Sequence, residues 1–165
     1  MNLLEELKQE LSRSVLINWV YPIFLIVVVG SLIYSNSFQV PFQFDDGYIV
    51  FENNRNVQDL GEFFKTAKWY QGRFFGYATF ALNYYWHQEK VFGYHLVNLG
   101  IHLVNSLLVW RFVLLLLRTP KMEKGKYKKV AGLISLLAGL VFVSHPIQTQ
   151  GVTYISQRLA SMATL

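Results

Sequence analysis

Two adjacent carboxylates, Asp45 and Asp46, stand in the run Phe44-Asp45-Asp46-Gly47-Tyr48-Ile49, ten residues beyond the uncharged stretch Val15–Ser35. A carboxylate held near a membrane surface can take the proton of a hydroxyl as that oxygen attacks a lipid-linked substrate. The same Asp-Asp-Gly is also good turn chemistry, because Asp and Gly tolerate left-handed backbone and Asp side chains cap nearby N–H groups. Two neighbouring carboxylates could instead contribute to a divalent-cation site. Two ligands alone do not make such a site, so no resident metal or cofactor is assigned.

Cations and other polar groups lie further along. Arg158 follows His145-Pro146-Ile147-Gln148-Thr149-Gln150 and Tyr154, and Pro146 suits the first turn of a new helix. On an unbroken helix Gln150, Tyr154 and Arg158 would stack at i, i+4 and i+8. A guanidinium fork suits phosphate, which makes Arg158 the first candidate for a donor phosphate and Arg73 the second. Either could equally anchor a helix at the membrane interface. His95, Asn98, His102 and Asn105 fall on one stripe of an otherwise apolar segment. The two histidines are about 10.5 Å apart along a helix, too far for one shared metal ion. Interhelical hydrogen bonding is the simpler role for the stripe; His95, at its outer end, is the member best placed to support a site, together with His145.

These groups need elements to position them, and the composition names the solvent. The chain has 165 residues, 53% hydrophobic and only 15% charged, against roughly 25% charged in soluble domains. Val15–Ser35 carries no charge and is long enough for a hydrocarbon core of about 30 Å. Phe92–Leu117 and Val130–His145 are two further candidate spans. The segment Met1–Arg13 contains Glu5, Glu6 and Glu10, and the apolar run after it is too long for a signal peptide; it reads as a retained anchor. The net charge of +5 does not indicate nucleic acid, because Arg118, Lys121, Lys124, Lys126, Lys128 and Lys129 crowd into the 118–129 connection. That is the pattern of a cytoplasmic loop. It predicts a cytoplasmic N-terminus and an external 36–91 loop carrying the acidic pair. Without cysteine, disulfides are excluded.

Asn2–Arg13 has the apolar stripe of a helix lying on the cytoplasmic membrane surface. In the external loop Phe42–Phe51 alternates like an extended segment, whereas Asp59–Lys68 and Arg73–Trp86 have helical periodicity. About half of the chain's aromatic residues fall between Phe63 and Tyr94. Rings favour the headgroup level, so these two helices are expected flat on the outer surface. The reading is an all-α membrane protein, with multi-spanning helices and surface-lying helices in its first external loop. The apolar character of Ala160–Leu165 suggests the N-terminal part of a longer chain.

Taken in order, these pieces resemble the multi-spanning glycosyltransferases of the GT-C fold, in particular the transmembrane O-mannosyltransferase-like proteins with C-terminal tetratricopeptide repeats and their bacterial relatives. The resemblance rests on Phe44-Asp45-Asp46 with Tyr48-Ile49 and Asn53-Asn54, and on Gly72-Arg73-Phe74-Phe75 running to Phe80-Ala81-Leu82-Asn83-Tyr84. It continues in Tyr94-His95-Leu96-Val97-Asn98-Leu99 with Ile101-His102, and in His145-Pro146-Ile147-Gln148-Thr149-Gln150 leading to Arg158. It implies transfer of a mannose-like sugar from a polyprenyl-phosphate donor to a hydroxyl acceptor, a protein Ser/Thr or a glycan. The reaction would occur at the extracytoplasmic face of a bacterial inner membrane or its equivalent. The catalytic base of such folds, an acidic residue of the first external loop, maps to Asp45 or Asp46. Where relatives carry an acidic residue after His-Pro-Ile, this chain has Gln150.

Two other classes fit the same segments. A transporter or flippase of a lipid-linked substrate predicts ionisable groups at mid-membrane, whereas here the acidic pair lies in a loop. A non-catalytic membrane scaffold predicts that both aspartates tolerate replacement.

Overall fold

A computed structural model describes residues 19–52, 56–68, 72–123, 125 and 127–164. The expected surface helix Asn2–Arg13 and the first residues of the Val15–Ser35 span lie outside them. Among the described residues all regular structure is helical. The longer helices are α1 (Tyr21–Ile33), α2 (Leu60–Thr66), α3 (Phe74–His87) and α4 (Val91–Leu117). After a single turn, α5 (Pro120–Glu123), come α6 (Ala131–Ser144), α7 (Thr149–Thr153) and α8 (Arg158–Met162). Among the described residues only α4, at 27 residues, is by itself long and apolar enough to cross a membrane. Lys128–Ser144 and Pro146–Thr153 meet that condition only together, across the break at His145, and α1 is a shorter apolar helix.

The chain divides into two compact units. One comprises Met1–Leu32 with Ser106–Ser144. Its core is Ile26, Trp110 and Leu114, packed with Leu107, Leu136 and Leu140. A side chain at Gly139 would come within 2.9 Å of both Ile26 Cδ1 and Trp110 Cβ, so glycine lets α6 approach its neighbours as small residues do between packed membrane helices. Arg111 lies over the Trp19 ring at 4.3 Å, a cation–π contact that partly offsets the cost of a guanidinium among apolar side chains.

The other unit, Ile33–Asn105 with His145–Leu165, holds the sequence's polar candidates. Its core gathers Ile49, Val50, Val57, Phe63, Phe80, Ala81, Tyr94 and Ile155. The helix α2 starts where Asp59 accepts the Glu62 N–H at 3.0 Å, a side-chain N-cap. The helical expectation for 59–68 and 73–86 matches α2 and α3. The extended expectation for Phe42–Phe51 does not hold. Asp46 N–H bonds Gln43 O and Ile49 N–H bonds Asp45 O, both at 2.9 Å, and a π-helical turn spans Tyr48–Glu52. Turn bonding at the Asp-Asp pair here outcompetes the alternating pattern.

A second correction concerns the segment after Pro146. Pro146 does open a helical turn, as its fixed φ favours. The chain then leaves helical geometry at Tyr154 (φ −100°, ψ 107°) before α8 begins. Gln150, Tyr154 and Arg158 therefore do not form one stacked face.

Candidate functional site

The polar stripe of α4 works as a rack on which the rest of this unit hangs. His95, Asn98, His102 and Asn105 are all buried. His95 is wedged between two carbonyls, with Nε2 2.8 Å from Val40 O and Nδ1 3.2 Å from Val152 O. Both ring nitrogens thus face carbonyl acceptors, the contact to Val40 being the shorter. Asn98 Nδ2 reaches Ile155 O at 3.3 Å and Tyr154 O at 3.4 Å. Asn105 Nδ2 donates to Ser161 O at 3.0 Å. These bonds tie the α4 stripe to the carbonyls of Val40, Val152, Tyr154, Ile155 and Ser161; those of Tyr154 and Ile155 also accept the local Gln157 and Arg158 N–H groups.

Arg158 locks that rack. It is 0% exposed, donating from Nε to Asn98 Oδ1 at 2.7 Å, from Nη2 to Tyr94 O at 2.9 Å and from Nη1 to Thr79 Oγ1 at 3.3 Å. Its guanidinium also covers the Phe80 ring at 4.4 Å. Burial lowers its pKa to about 9, with Tyr94 pulling the other way. No carboxylate is among these partners. The arrangement joins α3, α4 and α8 through neutral acceptors and leaves the guanidinium no exposed face.

The two aspartates are divided by their surroundings. Asp46 is 0% exposed. Its Oδ2 accepts the Gln43 N–H at 3.0 Å and its Oδ1 the Ser156 N–H at 2.7 Å. Asp45 is exposed, and the one contact described for its carboxylate is the Ser156 hydroxyl donating to Oδ1 at 3.3 Å. Phe44, just before it, is held at φ 49°, a left-handed conformation that is strained for a bulky residue. Its ring meets Tyr154 edge-on at 5.7 Å.

Arg73 is exposed and also left-handed, at φ 65°. It borders a cavity of about 370 Å³ walled by Phe74, Phe75, Gly76, Leu159, Met162 and Ala163. A guanidinium beside an apolar wall suits an amphiphile with an anionic head. Of the remaining sequence candidates, His145 caps the turn after it by accepting the Ile147 N–H at 3.3 Å. Gln150 is exposed. Tyr154 contributes its carbonyl to Asn98 and its ring to Phe44. The structure thus brings Asp45, Asp46 and Tyr154 into one cluster and places Arg158 in the rack behind it. Ser156, Thr79 and Tyr94 were not legible as participants, since no local spacing marks them. Among the described residues no group of three or more His, Cys, Asp or Glu is placed to hold a metal ion.

No protein-family profile matches the chain and no solved structure is significantly similar to it. The chain is similar to the protein O-mannosyl-transferase Tmtc3 of Drosophila melanogaster, 29% identical over 164 residues, covering 86% of this chain and 18% of the fly protein. It is also similar to the protein O-mannosyl-transferase TMTC3 of Homo sapiens, 28% identical over 157 residues, covering 86% of this chain and 15% of the human one. The chain spans less than a fifth of the length of these relatives. The similarity supports the resemblance to O-mannosyltransferases read from the motifs.

Proposed function

We propose that this chain belongs to a multi-spanning glycosyltransferase of the GT-C type, moving a mannose-like sugar from a polyprenyl-phosphate donor to a protein hydroxyl at the extracytoplasmic face. The observation that carries this reading is the division of the acidic pair. One carboxylate, Asp46, is fixed in the fold by two backbone N–H groups. Its neighbour Asp45 is left facing out.

In this reading Asp45 takes the hydroxyl proton of a Ser or Thr acceptor. The acceptor oxygen bonds to the anomeric carbon while the bond from that carbon to the phosphate oxygen breaks. The polyprenyl phosphate departs with the bonding electrons, so its negative charge grows in the transition state. A nearby cation stabilises that charge. Arg158 has no exposed surface from which to reach a phosphate, so Arg73, beside its apolar cavity, is the better donor contact. His95 and Asn98 support the cluster from behind. A divalent cation is not required by this scheme.

The test is sugar transfer by the full-length protein from polyprenyl-phosphate mannose to a Ser/Thr peptide. A general base contributes about 10²–10⁴-fold, so Asp45→Asn should reduce the rate by that factor with expression intact. Transfer within a few-fold of wild type for both Asp45→Asn and Asp46→Asn overturns the proposal.

A further inference from the structure

We infer that Ser156 is the residue that sets the two aspartates into different roles, fixing Asp46 through its backbone and orienting Asp45 through its hydroxyl. The inference rests on the proposed function for what Asp45 does, but its geometry is independent of that reading.

One residue touches both carboxylates with chemically different groups. The Ser156 N–H bonds Asp46 Oδ1 at 2.7 Å and the hydroxyl bonds Asp45 Oδ1 at 3.3 Å. Ser156 is itself buried, at 7% exposure, so its hydroxyl has little water to turn to. A buried hydroxyl aimed at a carboxylate keeps that contact because leaving it unmade is costly. Asp45, by contrast, is open to solvent and would otherwise sample several rotamers. Holding one oxygen leaves the other free to meet an incoming hydroxyl, the arrangement a positioned base needs.

The surroundings make Ser156 a fixed reference point. Two residues later Arg158 is clamped to Asn98, Tyr94 and Thr79. One residue earlier the Ile155 carbonyl is held by Asn98, and Ile155 is fully buried. On the aspartate side, Val40 O is pinned by His95, which also contacts Val152 O. The loop bearing the aspartates and the segment bearing Ser156 are thus referenced to the same helix, α4. Phe44 against Tyr154 adds a third tie next to Asp45. Ser156 is a positioning residue; it acts on the reaction only through Asp45.

The two functions can be separated, since every substitution except proline keeps the backbone N–H. In full-length protein, Ser156→Ala should keep the Asp46 anchor and the fold, with an unchanged melting temperature. Its kcat should fall about tenfold, the effect expected of one hydrogen bond to a charged group, while KM for the polyprenyl-phosphate donor stays the same. Ser156→Thr should restore kcat to within about threefold, because its hydroxyl can make the same bond. In an Asp45→Asn background Ser156→Ala should add no further loss. Wild-type kcat in Ser156→Ala alongside an inactive Asp45→Asn overturns this inference and leaves the base assignment standing. Failure of Ser156→Thr to recover activity with the fold intact also overturns it. An active Asp45→Asn overturns the base assignment and the role of Ser156 with it.

Discussion

The backbone N–H of Ser156 donates to Asp46 Oδ1 at 2.7 Å, joining positions 110 residues apart in the chain. With Gln43 N–H on the other oxygen, Asp46 accepts on both sides and is fully buried. Asn at this position can reproduce only one of those bonds, because its amide nitrogen would turn a donor toward a donor. Asp46→Asn should therefore cost about 1–3 kcal/mol of stability, the penalty for an unsatisfied buried group. The measurement is thermal unfolding of the purified protein, compared with Asp45→Asn, which should melt like wild type. Equal melting temperatures for the two variants would refute the division of the pair.

Arg158 gives the second prediction. Its removal leaves Asn98 Oδ1 without its donor and takes one bond each from Tyr94 O, within α4, and from the Thr79 hydroxyl, which keeps its bond to Gly76 O at 2.7 Å; an orphaned buried acceptor costs about 1–3 kcal/mol. Arg158→Leu should unfold this unit or lower its melting temperature markedly. Arg158→Lys should rescue little, since an ammonium is a point donor and cannot span three acceptors set in the plane of a guanidinium. An Arg158→Leu variant of normal stability, with weakened donor use alone, would restore Arg158 as the phosphate contact.

The cavity beside Arg73 can be tested from both walls. A Cβ at Gly76 would collide with Leu159 Cδ2, so Gly76→Ala must turn the Leu159 side chain and reshape the cavity wall it forms, a rotamer change of about 0.5–1.5 kcal/mol. Arg73 is exposed and its replacement should not affect folding. Arg73→Gln is expected to raise KM for a polyprenyl-phosphate donor while leaving acceptor KM unchanged. Unchanged donor KM would move the phosphate site elsewhere.

Parts of this arrangement are legible in the sequence and parts are not, for physical reasons. The α4 stripe is visible because His95, Asn98, His102 and Asn105 interrupt an apolar run with helical spacing, and polar groups so placed need partners. The places of α2 and α3 follow from helical periodicity. The break at Tyr154 is invisible locally, since Gly151–Arg158 contains no proline. There Asn98, from α4, adds bonds to the Tyr154 and Ile155 carbonyls, a long-range contact that no local spacing announces. The unequal fates of Asp45 and Asp46 are equally hidden. Asp46, before Gly47, is the more natural turn residue and Asp45 the favoured base, but the bond that fixes Asp46 comes from a residue 110 positions away.

Topology underlies the proposed function, and it is testable without any enzymatic assay. The Lys/Arg of 118–129 outnumber those of the longer 36–91 loop, from which the positive-inside rule predicts the first inside and the second outside. The 165 residues contain no cysteine, so a single substitution adds the one thiol within them. Ser37 would be a poor probe, because its side chain is buried and its hydroxyl donates to Tyr34 O at 2.7 Å. Gln39 and Gly125 are exposed. In intact cells Gln39→Cys should react with a membrane-impermeant thiol reagent, and Gly125→Cys should react only after permeabilisation. The reverse pattern would put Asp45 on the cytoplasmic side and rule out transfer at the outer face. Labelling of both in intact cells would mean that the segment between them does not cross the membrane. The apolar face of α4 would then need another explanation than lipid.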